Sequence, residues 1–142
     1  MSVTFVDTEG PIRAWLRAQS ALAVQVGQRI FIGGTPEGGT SAPWLCLNRV
    51  GGAPRGGHGD VPEDPALIQF DCWGGVGPRY KAQVAAVSAV LVTALMGIER
   101  GTRLSGALVC NGATVEVWHY SPDPADGRAR YIVDSRMYLM PA

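Results

Sequence analysis

Three side chains could supply a nucleophile, a base and an orienting acid: Cys110, His119 and Asp134. A thiolate would attack, the imidazole would carry its proton, and the carboxylate would fix the imidazole tautomer. Nothing in their spacing brings the three together, and Cys110 lies in an apolar run, where a thiol packs as a small hydrophobe. A zinc site needs about four ligands, and Cys46, Cys72, Cys110, His58 and His119 form no paired spacing. Asp60, Glu63 and Asp64 could gather a cation, but a solvated acidic loop explains them better. Gly75-x-Gly77 stands where a dinucleotide fingerprint would stand, yet the position of its third glycine is Tyr80. The run GGTPEGGT (33–40) lacks the Gly-Lys-Ser/Thr ending that grips a phosphate, and there is no Gly-x-Ser-x-Gly elbow. Asp123 and Asp126 around Pro124 read as turn chemistry. The sequence is therefore read as having no catalytic residue, no cofactor and no metal site.

The elements carry more information than these groups. ALIQFDCW (66–73) reads as a short apolar strand that breaks at Gly74-Gly75. After Pro78 comes a long helical pattern, RYKAQVAAVSAVLVTALM (79–96), and no charged residue lies between Lys81 and Glu99. Tyr80, Val84, Val87, Leu91 and Leu95 form one apolar stripe. The opposite side carries Ala82, Ala85, Ala86, Ala89, Val92 and Met96. A surface helix normally has one apolar stripe and one charged face, so this helix calls for cover on both sides. In a chain of 142 residues the second cover is expected from another subunit. That points to an assembly protein rather than an enzyme.

Composition agrees. Length fits a single domain over 1–142, long enough to need no disulfide or metal staple. Charged residues make up 17% of the chain, against about 25% in an average domain. Lys+Arg 12 and Asp+Glu 12 give a formal net charge of +0, which argues against a nucleic-acid reader, since those carry a basic excess. Three separately placed cysteines do not read as a disulfide framework, and a reducing compartment is the simplest setting. The start, MSVTFVDTEG, has no signal-peptide pattern. No run reaches the ~18 apolar residues of a membrane span.

Asp7 or Thr8 is expected to cap a first helix with Ile12, Trp15, Leu16 and Gln19 on its inner face. Strands follow at 28–32 and 44–50, separated by a loop at 33–42. GGAPRGGHGDVPEDP (51–65) is rich in glycine and proline and reads as a long loop without regular structure. Strands 103–110 and 114–120 are expected to form a hairpin across Asn111-Gly112, a strong two-residue turn signal. After the turn 121–128, RYIVDSRMYL (130–139) alternates Tyr131, Val133, Met137 and Leu139 with Arg130, Asp134, Arg136 and Tyr138. The predicted class is α+β: a mainly antiparallel sheet of about five strands, with one long Ala-rich helix and a shorter N-terminal helix packed on it. The sheet's second face should be mixed, with Asp71, Trp73, Trp118, Arg136 and Tyr138. Such polar-aromatic surface suits an interface, and a solvated sheet face with stray aromatics accounts for it equally well.

This order of elements resembles the tail terminator, or tail completion, proteins of long-tailed phages. The resemblance is carried by LIQFDCW directly before a long Ala-rich helix, by RYIVDSRMYL after VEVWHY and a polar turn, and by the N-terminal helix with its Trp15-Leu16 pair. It covers nearly the whole chain and is strongest over 66–140; the loop 51–65 departs from the compact members. The resemblance implies a homo-hexameric ring on the head-proximal end of the tail tube, ending tube polymerisation and presenting a surface to the head's connector. The implied partners are further copies of itself, the tail tube protein and the head-tail connector protein. DNA passes through the lumen without sequence-specific binding, and no membrane is involved. The implied location is the virion tail, after assembly in the cytoplasm of a bacterial host. Ala82, Ala85, Ala86, Ala89, Asp71, Trp73, Trp118 and Arg136 are the expected subunit-interface residues. Thr35, Glu37, Arg55, His58, Asp60 and Glu63, in the two loops, are the expected partner contacts. The rival readings are a head-tail connector or stopper, and a small-ligand domain or enzyme with a pocket at His119.

Overall fold

The computed structural model describes residues 7–34, 36, 39–52, 55–56, 62–106 and 108–142. Helix α1 (Glu9–Arg17) and helix α2 (Ser20–Val26) come first. The Asp7 carboxylate accepts hydrogen bonds from the backbone N–H of Glu9 and Gly10, so Asp7 supplies the expected cap. Gln19 does not extend the face of α1. It stands between the helices, donating from Nε2 to the Trp15 carbonyl at 3.1 Å, and α2 continues the inner surface with Leu22 and Val26.

Seven strands follow rather than five: β1 (Ile30–Ile32), β2 (Trp44–Gly51), β3 (Arg55–Gly56), β4 (Pro62–Val76), β5 (Thr102–Ser105), β6 (Leu108–Tyr120) and β7 (Arg128–Pro141). The order across the sheet is β1-β2-β4-β7-β6-β5, with β3 paired to β4. β1 runs parallel to β2; the other pairings are antiparallel. The class is α+β and mainly antiparallel, as expected. A 3-10 turn (Pro78–Tyr80) leads into α3 (Lys81–Met96), which packs against β4, β6 and β7.

The segment 51–65 is not wholly irregular, because Pro62–Pro65 belong to β4 and Arg55-Gly56 pair with Glu63 and Pro62. The last β2 pairing is Gly51 with Leu67, so Pro65 pairs with β7 alone, and Pro62, before the first β7 pairing at Asp64, pairs with β3 alone; proline is tolerated where one neighbour is missing. Asn111-Gly112 is not a hairpin turn either. It lies within β6, where the register shifts between Cys110 and Ala113 and Gly112 takes φ 139°. The glycine is used for a bulge because β7 is long enough to pair with β6 on both sides of it. The chain reverses near Gly106 instead, between β5 and β6.

The core lies between the three helices and one sheet face. Ile12, Leu16, Leu22 and Val26 meet Leu45, Leu47, Ile68, Phe70, Val133 and Met137, with Val87, Leu91 and Leu95 of α3. Gly74 and Gly75 are needed for closeness. A Cβ on Gly74 would stand 2.7 Å from Val84 Cγ1, and one on Gly75 would stand 2.6 Å from the Tyr80 ring. These glycines seat the start of α3 against the strand and hold no phosphate.

Candidate functional site: two uncovered faces

Antiparallel partners share a sheet face, so the register sorts every side chain. Asp71 and Trp73 of β4 lie on the outer face with Arg130, Ile132, Asp134, Arg136 and Tyr138 of β7. Trp44 stacks on Trp73 with ring centroids 6.1 Å apart; the Arg128 and Arg130 guanidinium groups lie over Trp44 and Trp73 at 5.2 and 4.8 Å. These cations close one end of the face. Further along, Arg136 Nε donates to Glu116 Oε1 at 2.8 Å, and Nη1 donates to the Pro65 carbonyl.

Between these groups lie two acids with little compensation. Burial raises the Asp71 carboxyl above its ordinary range, against a hydrogen bond from Gln69 and the charge of Arg130. Asp134 is raised first by burial and then by the charge of Asp71; Glu116 adds to this and His119 opposes it. Asp134 Oδ1 is a buried atom with no hydrogen-bond partner among the described residues. An acid whose proton is held more tightly in the folded chain destabilises the fold once ionised. Asp134→Asn is therefore expected to raise the melting temperature at pH 7. The gain should shrink as pH falls through the carboxylate range, which thermal melts from pH 7 to pH 4 would read. An equal or lower melting temperature at pH 7 would contradict it.

Trp118 does not join this face. β6 shifts register between Val115 and Val117, which moves Trp118 opposite Val133 on the helix side. There its Nε1 donates to Ser88 Oγ at 2.9 Å while half of the residue stays exposed. The bulge reverses the alternation that placed Trp118 beside Trp73.

The second uncovered face is on α3, on the other side of the sheet. Val84, Val87, Ser88, Leu91, Val92 and Leu95 are buried. Val92 therefore belongs to the inner side, not to the outer one. Ala82, Ala86, Ala89, Thr93 and Met96 are exposed, and Ala85 is half-buried. This outer strip has no charge beyond Lys81 at its start. The expected interface residues thus fall into two patches facing opposite ways, with Trp118 on the flank of α3.

The enzyme reading finds no site in these groups. Cys110 is buried on the helix side opposite Leu139, whereas His119 and Asp134 are on the outer face. Burial pushes the Cys46 thiol up to about 11 and also raises Cys72 and Cys110, so none is a ready thiolate. A groove of about 350 Å³ lies between α2 and α3, lined by Gln19, Leu22, Ala89, Val90 and Thr93, across the sheet from His119. Asp64 is buried in an ion pair with Arg49. Among the described residues no three His, Cys, Asp or Glu side chains gather as a metal site, and no helix is long and apolar enough to cross a membrane. Of the expected loop contacts, Thr35, Glu37, His58 and Asp60 lie outside the described residues. The backbone of Arg55 pairs with Glu63.

No curated protein matches the chain. A chain in the structure of the virion of a native gene transfer agent (GTA) particle has the same fold, with TM-score 0.72, 18% identity and 93% of each chain covered. The family of tail completion protein gp17 matches residues 10–134. The chain belongs to this tail completion protein family, and so to the structural proteins of phage tails.

Proposed function

We propose that the chain is a tail terminator. Six copies close into a ring on the head-proximal end of the tail tube, stop tube polymerisation and offer the surface to which the head-tail connector protein attaches. The observation that carries this reading is the pair of faces, one on each side of the sheet, that no described element covers. A ring contact is heterologous, one patch meeting a different patch on the next copy. The exposed, uncharged strip of α3 and the polar-aromatic sheet face supply two such patches. The loop at 33–42 and the segment between β2 and β4 reach the tail tube protein and the connector. DNA passes through the lumen without sequence-specific contacts. The role is structural, without catalysis, and assembly takes place in the bacterial cytoplasm.

Deleting the gene from the parent phage tests the reading by electron microscopy of the lysate. Overlong or uneven tubes detached from filled heads are expected. Tails of normal length without heads would assign the chain to connector attachment instead, and normal particles would overturn both. Supplying Ala89→Arg in place of the natural protein should leave the deletion defect in place. Its melting temperature should stay near the natural value, because an exposed helix position carries an arginine at less than about 0.5 kcal/mol.

A further inference from the structure

The outer strip of α3 begins with two cations and then runs uncharged. Arg79 lies over the Tyr80 ring at 4.8 Å and Lys81 over the Tyr120 ring at 4.8 Å. Both side chains are exposed, and neither forms an ion pair with a carboxylate among the described residues. By contrast Arg49 and Arg136 are paired with Asp64 and Glu116. On the opposite side of the sheet, Asp71 and Asp134 share a face on which Arg136 is taken by Glu116 and Arg130 is stacked on Trp73. Cations without acids on one side and acids short of cations on the other are complementary charge, placed as a head-to-tail contact requires.

We propose that the α3 strip of one copy docks on the outer sheet face of the next, with Arg79 and Lys81 reaching Asp71 and Asp134 of that second copy. The small side chains of Ala82, Ala86 and Ala89 let the helix lie close to the sheet, and the charges at its start fix direction and register. Desolvated acids that destabilise the free chain are kept because assembly supplies their counter-charge. Of the groups around Asp134, Asp71 and Glu116 favour an incoming cation, His119 opposes it when protonated, and Gln69 is neutral. Around Asp71, Arg130 opposes it, while the Cys46 thiol is neutral.

The inference rests on the ring reading, and a charge swap tests it apart from that reading. Lys81→Glu and Asp134→Lys are supplied singly, and together in one chain, to the deleted phage, and infectious titre is measured. Each single change is expected to lower titre about tenfold or more. The double change should restore it to within about threefold, since every contact then pairs Glu at 81 with Lys at 134. Melts of the three purified variants exclude simple unfolding; for a single variant that does not fold, Arg79→Glu with Asp71→Lys gives a second swap with the same expectation. Single changes without effect, or a double change no better than the singles, would overturn the contact. Loss of duplex-DNA binding by Arg79→Glu/Lys81→Glu with normal titre would also overturn it, assigning these cations to nucleic acid. In each of these cases overlong tubes in the deleted lysate would still uphold the terminator.

Discussion

Phe70→Ala is expected to remove about 3–5 kcal/mol of stability. Phe70 lies at the middle of β4, opposite Leu47 on one neighbour and Val133 on the other, with no exposed surface. Its ring fills the space between the two longest-paired strands and α3, and neither a strand held on both edges nor a helix of 16 residues can collapse into the gap. A domain of this size has only about 5–15 kcal/mol in total, so the change removes a large share of it. Urea unfolding followed by circular dichroism should show the midpoint falling by about 2 M with the slope unchanged. A loss below about 1 kcal/mol would mean that the sheet and helix are not locked at this point.

Asp64→Ala should cost about 2–3 kcal/mol. Both Asp64 oxygens accept from Arg49 at 2.5 Å, and the Asp64 side chain is 3% exposed against 23% for Arg49. Removing one partner of a fully buried pair costs about 3–5 kcal/mol, because the other charge is left without compensation. Arg49 reaches solvent and keeps its bond to the Gly52 carbonyl, which places the figure below that range. The melting temperature should fall by about 5–10 °C. The fall should be similar at low and high salt, since a buried pair is poorly screened. A fall that vanishes in 1 M salt would place the pair in solvent.

Strands with one clean period were legible in the sequence. In β7 Val133, Met137 and Leu139 are buried as alternation predicted, and the inner stripe of α3 follows its helical spacing. Legibility failed where a long-range partner outweighed a local signal. Asn111-Gly112 has the turn chemistry of a hairpin, but β7 pairs across it and turns that chemistry into a bulge. Pro62 and Pro65 read as strand breakers, yet they sit where β4 has lost one neighbour. Trp118 was misplaced because the displaced residue in β6 has no signature in composition. Of the candidate site, the uncharged helix strip was visible as a gap between Lys81 and Glu99. The shortage of cations around Asp134 was not, because it depends on which strands are adjacent.

The bulge between Val115 and Val117 gives β6 one residue more than β7 needs, because two steps along β6 answer the single step from Ser135 to Asp134. Losing Glu116 alone would therefore close the bulge and leave Val117 opposite Asp134 and Trp118 opposite Val133. The same loss between Val117 and Tyr120, where the pairing is regular, would turn every side chain beyond it to the other face. Single-residue changes of length in β6 are thus absorbed at the bulges and nowhere else along the strand. Position 116 works as slack in the ladder, a place where the strand can shorten without exchanging its two faces.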